Sequence, residues 1–225
     1  MCLLLETIRI ENGRIGNIRY HQERMNHARK ELFKCSDQLD LTNIIETHMS
    51  SAGFLPDQQV GAIRQHSAAD LQSAPEEQKN RHKCRITYKR EIETVEFLPY
   101  RLPTINSLKI VIDDEIDYAY KFHDRSRIHI LFEKRDKSDD ILIVKQGFIT
   151  DTSYANVLFY NGKEWLTPTY PLLKGTQRTS LLDQEIIRVA EIRLEDLHHF
   201  KKARLVNAMI RFDDALDINI LNIHS

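Results

Sequence analysis

The stretch that decides the fold runs from Phe148 to Leu182 and reads FITDTSYANVLFYNGKEWLTPTYPLLKGTQRTSLL. Three short runs in it, FITDTS, NVLFY and KEWLTP, are rich in β-branched and aromatic residues and predict strands. Asn161-Gly162 separates the second run from the third, and Gln146-Gly147 precedes the first, so these pairs predict hairpin turns. A helix is predicted to begin at Thr176. Its predicted core-facing residues are Leu181, Leu182, Ile186 and Ile187.

The chain before this stretch begins with a second hairpin pattern. LLLETIRI predicts a strand, Asn12-Gly13 predicts a turn, and a short strand is expected to return through Ile15 to Ile18. Two helices are predicted next, in YHQERMNHARKELFK and in DLTNIIETHMSSAG, which ends near Gly53. The face of the first helix is marked by Met25, Ala28, Leu32 and Phe33.

The middle of the chain divides it into two predicted domains. Gln58 to Lys83 is polar and alanine-rich and predicts helix fragments and loop, with the basic stretch Lys79 to Lys83 as a solvated loop. CRITYKREIETVEFLP predicts a hairpin, with Cys84, Ile86 and Tyr88 on one side of its first arm. PYRLPTIN has two prolines and little periodicity, which is typical of a linker. We therefore expect a small domain over residues 1–103 and a larger one over residues 104–225.

The second half contains mostly strands. SLKIVI, DILIVK, RLVNAMI and INILNI predict strands, and KFHDRSRIHILFEKR predicts a helix. Strands outnumber helices and are mostly linked by hairpins. This pattern predicts an α+β fold and excludes a parallel doubly wound sheet.

Composition narrows the class of protein. The 225 residues include 32 Lys and Arg and 33 Asp and Glu, so the net charge of −1 gives no electrostatic footprint for nucleic acid or an anionic membrane. Cys2, Cys35 and Cys84 form no CxxC pair, which argues against a disulfide framework or a zinc site. The apolar run Leu3 to Leu5 is too short for a signal peptide, and no stretch is apolar enough to span a bilayer. A cytoplasmic protein without a metal is expected.

Two segments contain polar residues that suit an anionic ligand. Gly175 precedes the helix predicted from Thr176, and a helix N-terminus offers backbone N–H groups and partial positive charge to a phosphate. The same letters also fit an ordinary glycine turn with a threonine N-cap. Asn207 lies in the apolar segment VNAMI, where it could bind a ligand or be a satisfied structural asparagine.

Two further residues suit acid–base or nucleophilic chemistry. Asp151 lies in a β-rich segment, where a carboxylate needs a cationic partner or several hydrogen bonds from a turn. Lys121 lies between Tyr120 and Phe122, and a desolvated lysine is a better nucleophile. A surface lysine with a buried stem is the alternative interpretation.

Together these segments resemble the class IV aminotransferase family, which includes aminodeoxychorismate lyase. The resemblance rests on ETIRIENGRI followed by YHQERM, on YKFHDR, on ITDTSYANVLF, on LTPTYPLLKGTQR and on VNAMI. It extends nearly end to end and is weakest between Gly53 and Lys83. It implies a two-domain fold-type IV enzyme that uses pyridoxal 5′-phosphate, with a small α/β domain and a larger pseudo-barrel β domain with helices.

The resemblance also implies roles for individual residues. Lys121 matches the Schiff-base lysine, Asp151 the partner of the pyridine nitrogen, and Arg24 the arginine that grips the cofactor phosphate. Thr176, Gln177 and Asn207 match residues that bind phosphate or substrate carboxylate. Arg85, Arg101, Arg211 and Ala208 are candidates for contacting the substrate.

This sequence departs from the family pattern at two places. Asp151 stands where the family normally has a glutamate, which is one methylene longer. The family also has a strand and turn ahead of LLLETIRI, so the small domain is expected to lack an edge element.

The activity implied is 4-amino-4-deoxychorismate lyase, because asparagine before a small residue in VNAMI is more typical of the lyase. A class IV aminotransferase acting on branched-chain or D-amino acids is the alternative, and a catalytically inactive relative that binds pyridoxal phosphate is the second. A homodimer acting on a small molecule is expected.

Overall fold

The computed structural model describes residues 2–51 and 81–225. The chain divides into two units, Met1–Leu102 and Pro103–Ser225. This boundary falls within the segment PYRLPTIN, one residue before the boundary that the sequence predicts. In the described residues, no helix has the length and apolar character that crossing a membrane requires.

Unit 1 contains an antiparallel sheet. Its strands, within the described residues, are β1 (Leu4–Glu11), β2 (Arg14–Ile15), β3 (Arg81–Tyr88) and β4 (Ile92–Pro99), in the order β2-β1-β3-β4. Asn12 and Gly13 have φ values of 50° and 71°, the left-handed conformation that a two-residue hairpin needs, so the predicted turn is confirmed. The returning strand predicted through Ile18 is wrong beyond Ile15. Asn17, with φ of 51°, turns the chain into a helix there instead.

Two helices follow the first hairpin, as the sequence predicts. They are α1 (Ile18–Phe33) and α2 (Leu41–Ser51). Met25, Ala28 and Phe33 of α1 are buried and Leu32 is half-buried, so the predicted face is confirmed. The first arm of the later hairpin also buries its predicted side, which consists of Cys84, Ile86 and Tyr88.

The prediction for Gln58 to Lys83 is wrong at its C-terminal end. Arg81 to Lys83 begin β3 and pair with Glu11 to Arg9 of β1, and Arg81 is only 5% exposed. Arg81 donates to Glu11 from Nε at 2.9 Å, so its charge is paired with a residue 70 positions away. Residues 58–80 lie outside the described residues.

Unit 2 contains a larger mixed sheet. Its strands are β5 (Leu108–Ile112), β6 (Asp140–Lys145), β7 (Phe148–Thr152), β8 (Asn156–Tyr160), β9 (Trp165–Pro168), β10 (Ile187–Ala190), β11 (Lys202–Val206), β12 (Ile218–Asn219) and β13 (Ile223–His224). The strand order is β10-β9-β8-β7-β6-β5-β13, with β11 paired to β8 and to β12. The pairs from β6 to β9 are antiparallel, whereas β5 is parallel to β6 and to β13, and β10 is parallel to β9.

The helices of unit 2 are short. They are α3 (Ser126–Phe132), α4 (Thr176–Asp183) and the 3-10 helices Glu133–Arg135, Leu194–His199 and Ile220–Asn222. The helix predicted from Lys121 begins later, because the side chain of Asp124 accepts a hydrogen bond from Ser126 N–H at 2.9 Å and holds the preceding residues in a turn.

Two predictions for the C-terminal part are wrong in extent. The helix that begins at Thr176 ends at Asp183, so Ile186 is 42% exposed and Ile187 begins β10 beside Trp165. The segment INILNI contains a 3-10 helix between two very short strands.

Side chains that alternate along β6 point to opposite faces of the sheet and pack into two separate parts of the core. Leu142 and Val144 pack in the cluster that contains Val157 and Phe159, whereas Ile141 packs in the cluster with Val111 and Leu131. A strand with both faces buried packs helices or loops on each side. The predicted α+β class is confirmed.

Candidate active site

Asp151 lies near the end of β7 beside Asn156 of β8 and is 5% exposed. Its Oδ1 accepts a hydrogen bond of 2.7 Å from Asn156 Nδ2, and its Oδ2 accepts one of 3.0 Å from the backbone N–H of Leu173. Burial raises the pKa of Asp151 to about 6, because the loss of solvation outweighs these hydrogen bonds and the nearby charge of Arg178. A cation beside this carboxylate would therefore be bound favourably.

The N-terminus of α4 follows the same loop. Gly175 is the N-cap, and no side chain caps the helix. The alternative of a threonine N-cap is therefore wrong. Thr176 and Gln177 are 2% and 7% exposed in the first turn. The first N–H groups of a helix have no acceptor within the helix and carry partial positive charge, which suits a phosphate.

Arg178 ties α4 to β9 from within the core. Its Nε donates to Thr167 Oγ1 at 3.2 Å and its Nη2 donates to the carbonyl oxygen of Pro168 at 2.8 Å. Burial lowers the pKa of Arg178, and the nearby Asp151 carboxylate opposes that shift. Arg178 thus contributes positive charge beside Asp151.

Lys121 is half-buried in the loop between β5 and α3. The hydroxyl of Tyr118 donates to the carbonyl oxygen of Phe122 at 2.6 Å. The rings of Tyr118 and Tyr120 lie edge-on to Phe122, with centroids 6.1 Å and 6.0 Å away. The lysine therefore projects from a loop that is stiffened by aromatic contacts.

The turn between β7 and β8, which follows Asp151, contacts the loop that contains Lys121 and the segment that contains Asn207. Arg125, four positions after Lys121, donates from Nη2 to the carbonyl oxygen of Ser153. Asn207 donates from Nδ2 to the carbonyl oxygen of Tyr154 at 3.3 Å. The Lys121 loop and the Asn207 segment are thus both anchored within three residues of Asp151.

Asn207 begins a tight turn, so the prediction that RLVNAMI is one strand is wrong beyond Val206. The backbone N–H of Asn207 donates to the carbonyl of Ile210, and the N–H of Ile210 donates back, each at 3.1 Å. Asn207 Oδ1 also accepts from Met209 N–H at 2.8 Å and from Ile210 N–H at 3.0 Å. Ala208 is half-buried in this turn. These hydrogen bonds within residues 207–210 end the pairing of β11. The Nδ2 contact of Asn207 with Tyr154 joins this turn to the β7–β8 turn.

Arg24 belongs to unit 1, where it is part of a buried cluster with Glu6 and His21. Its Nε and Nη2 donate to the two carboxylate oxygens of Glu6 at 2.9 Å and 2.5 Å. His21 Nδ1 lies 2.6 Å from Glu6 Oε2. Burial alone raises the pKa of Glu6, but the charges and hydrogen bonds of Arg24 and His21 lower it to about 2.

The arginines named as substrate candidates are not gathered within either unit. Arg85 of β3 pairs with Glu96 of β4 at 3.8 Å, and Arg101 is exposed in the linker segment. Arg211 is an exposed residue of unit 2 whose backbone N–H donates to Asp214 at 3.3 Å. Their assignment to the substrate stays a prediction.

The residues of unit 2 fit pyridoxal phosphate. The cofactor needs a lysine for its aldehyde, a carboxylate near its ring nitrogen and donors for its phosphate. The fit rests on two observations: burial raises the pKa of Asp151 to about 6, and α4 begins at a glycine with no capping side chain. Lys121, Asp151 and the first turn of α4 would hold the group in these respective roles.

Sequence reasoning missed Asn156, Arg178 and Arg125 as parts of this site. Each had a local signal: Asn156 is a polar residue that opens the apolar run NVLFY, and Arg178 is a charge in a helical turn that is otherwise uncharged. Arg125 enters the sequence pattern only as part of the motif YKFHDR around Lys121. Their partners could not be inferred, because each contacts backbone or side chains from another segment.

Similarity to other proteins extends over most of the chain. An uncharacterised protein of Haemophilus influenzae is 34% identical over 207 residues, which are 92% of this chain and 97% of that protein. The crystal structure of a provisional 4-amino-4-deoxychorismate lyase from Haemophilus somnus 129PT has a TM-score of 0.78 and 34% identity, covering 93% of this chain and 97% of that one. That of a provisional amino-acid aminotransferase from Mesorhizobium loti has a TM-score of 0.71 and 19% identity, covering 97% and 99%, and shows the fold alone.

The family itself is identified from the sequence. The profile described as Amino-transferase class IV matches residues 3–212, nearly the whole chain. This match confirms the predicted fold type and the prediction of a pyridoxal-phosphate enzyme. The chain is a member of the class IV aminotransferase family.

Proposed function

We propose that this chain is a pyridoxal-phosphate-dependent 4-amino-4-deoxychorismate lyase, which releases pyruvate and 4-aminobenzoate, a folate precursor. The observation that carries the proposal is the similarity to the provisional lyase of Haemophilus somnus, at 34% identity over nearly the full length of both chains. The pair Asn207-Ala208 supports the same choice, because threonine or serine pairs are more typical of the branched-chain and D-amino-acid aminotransferases.

Each residue of the site has a role in this proposal. Bound pyridoxal phosphate would supply an electron-withdrawing ring for the reaction. Lys121 would hold the cofactor covalently. Its amine, once displaced by the incoming substrate amine, would accept the proton from the substrate carbon that carries the amino group. Asp151 would keep the pyridine nitrogen protonated, since a carboxylate favours the charged form of that ring. The first turn of α4 would bind the phosphate and thereby orient the ring. Arg24 is assigned to phosphate binding by the family resemblance alone.

Product analysis tests the proposal directly. Purified protein loaded with pyridoxal phosphate is incubated with 4-amino-4-deoxychorismate and no keto acid, and 4-aminobenzoate and pyruvate are quantified by chromatography. We expect both products in equal amounts. Their absence, from protein that binds the cofactor, would reject the lyase.

A class IV aminotransferase acting on branched-chain or D-amino acids is the second candidate. Membership of the family favours it, because the same lysine, acid and phosphate site serve both reactions. Incubation with amino-acid and keto-acid pairs separates the two, since a transaminase needs the acceptor keto acid and the lyase does not.

A relative that binds the cofactor without turnover is the third candidate. Asp151 favours it, because this carboxylate is one methylene shorter than the family's usual glutamate. Cofactor binding with no product in either assay would identify it. The lyase is proposed as a cytoplasmic enzyme, in a compartment where Cys2, Cys35 and Cys84 would stay reduced.

A further inference from the structure

The side-chain amide of Asn156 joins two parts of unit 2 that have separate roles at the site. Its Nδ2 donates to Asp151 Oδ1 at 2.7 Å and to the carbonyl oxygen of Leu173 at 2.9 Å. An amide nitrogen has two hydrogens, and both are used by these contacts. The orientation of the amide is therefore fixed by one charged and one neutral acceptor.

The other end of the same amide faces Gly175. A Cβ added to Gly175 would lie 2.0 Å from Asn156 Oδ1, and its three nearest heavy atoms would all belong to Asn156. Gly175 has φ of −69° and ψ of 143°, a conformation open to any residue. Glycine is therefore required here by space and not by backbone conformation.

The loop that precedes α4 is held through both polar backbone groups of Leu173. Leu173 N–H donates to Asp151 Oδ2 at 3.0 Å, and Leu173 C=O accepts from Asn156. Gly175, two residues later, packs on the same amide and is the N-cap of α4. Hydrogen bonds thus link Asp151, Asn156 and Leu173, and Gly175 at the start of α4 packs against the same amide with no room for a Cβ.

We propose that Asn156 is a positioning residue that sets the separation between the Asp151 carboxylate and the N-terminus of α4. These are the groups that would hold opposite ends of pyridoxal phosphate, at the ring nitrogen and at the phosphate, so the inference rests on the proposed function. Gly175 has the complementary role, because its missing side chain lets the Asn156 amide reach both partners.

The test measures cofactor binding and not turnover. Titrations use pyridoxal phosphate, which would contact both groups, and inorganic phosphate, which would contact only the N-terminus of α4. Asn156→Ala should weaken pyridoxal phosphate binding by roughly ten- to a hundredfold, the range expected for losing a hydrogen bond to a charged group. Affinity for inorganic phosphate should change less than about twofold. Its binding at α4 does not depend on the distance between the Asp151 carboxylate and that helix N-terminus.

Gly175→Ala supplies a second variant that leaves Asn156 in place but displaces its amide. It should weaken pyridoxal phosphate binding to a similar extent. In the double variant the three atoms nearest to the added methyl group are absent, so Gly175→Ala should have no further effect in the Asn156→Ala background. If Asn156→Ala does not fold, Gly175→Ala with its two titrations carries the test alone.

Asn161→Ala is the matched control. Asn161 Oδ1 accepts hydrogen bonds from Lys163 N–H and Glu164 N–H in the exposed β8–β9 turn, so this variant also removes a structural asparagine. Both affinities should stay at the wild-type values.

Three results would overturn the inference. They are wild-type affinity for pyridoxal phosphate in Asn156→Ala or Gly175→Ala, equal losses for both probes, and additive effects in the double variant. Wild-type protein that fails to bind pyridoxal phosphate would instead overturn the proposed function.

Discussion

Arg24 and Glu6 form a two-point ion pair in the core of unit 1. The guanidinium donates from Nε at 2.9 Å and from Nη2 at 2.5 Å, and the carboxylate is fully buried. Such a fork fixes the plane of the guanidinium. Glu6 therefore orients the arginine that the family resemblance assigns to the cofactor phosphate.

Replacing Arg24 should affect binding and stability together. Arg24→Ala removes a charge-assisted donor to the phosphate, so affinity for pyridoxal phosphate should fall by roughly one to two decades. The variant also removes the larger of the two charges that stabilise ionised Glu6, with His21 left as its partner. Breaking a buried pair lowers the free energy of unfolding by about 3–5 kcal/mol. Cofactor titration and urea unfolding measure the two effects.

Arg19→Ala is the control for that change. Arg19 pairs with Glu23 on the exposed face of the same helix, and its side chain is 72% exposed. Such pairs contribute about 0.3–0.5 kcal/mol, and cofactor affinity should not change. Unchanged affinity in Arg24→Ala as well would remove Arg24 from the phosphate site.

Glu6 should make the protein sensitive to acid. Its pKa falls from 4.5 to about 2 on folding, so the folded state holds its carboxylate ionised where the unfolded chain takes up a proton. The stabilisation, roughly 3 kcal/mol, is present above pH 4.5 and is lost as the pH falls toward 2. Glu6→Gln should unfold with less dependence on pH in that window, as measured by urea midpoints. If the urea midpoint of Glu6→Gln fell with pH as steeply as that of the wild type between pH 4.5 and 2, the buried ion pair would be contradicted.

Lys121 should be the residue that carries the cofactor. Borohydride reduction of the loaded protein, followed by peptide mass spectrometry, should place the cofactor on a peptide that contains Lys121. Lys121→Ala should bind the cofactor weakly and lose turnover, because the covalent link and the proton-transfer base are both removed. Attachment at Lys109, Lys134 or Lys174 would overturn the assignment, as would full activity of the variant.

Asp151 should lower the stability of the cofactor-free protein near neutral pH. Its pKa rises from 3.8 to about 6 on folding, so the folded state binds the proton more tightly than the unfolded chain. Stability should therefore fall by roughly 3 kcal/mol as the pH rises from 4 to 7, and Asp151→Asn should not show this loss. Thermal unfolding of both proteins across that range measures the difference.

The same residue should control turnover when the cofactor is bound. Asp151→Asn should still bind the cofactor covalently but turn over far more slowly, because a neutral ring withdraws electrons poorly. Asp151→Glu restores the usual residue of the family and should keep substantial activity. Normal turnover in Asp151→Asn would mean that another acid serves the ring nitrogen or that the electron sink is not needed.

The protein is expected to be a symmetric dimer, as the family resemblance implies. Light scattering at micromolar concentration should give twice the mass of the 225-residue chain. A fully active monomer would reject this expectation.

The sequence by itself determined the features that depend on neighbouring residues. The turns at Asn12-Gly13 and Gln146-Gly147 have positive φ at both positions, a conformation that Asn12 and the two glycines tolerate locally. The buried face of α1 is also a local feature, because the helical spacing of Met25 and Ala28 places both residues on the same side. The assignment of Lys121, Asp151 and Thr176 to the cofactor rests on the family resemblance of their motifs and stays a prediction.

Only the tertiary structure decided what those residues contact. The pairing of Arg81 with Glu11, the place of Ile187 beside Trp165 and the contact of Asn156 with Gly175 all join segments that are distant in sequence. These partners are determined by burial and charge pairing once the strands are aligned. The propensities of neighbouring residues do not predict them. Arg81 therefore lies in a strand although its neighbours suggest a solvated loop, and Asn156 is part of the site although its own segment predicts only a strand.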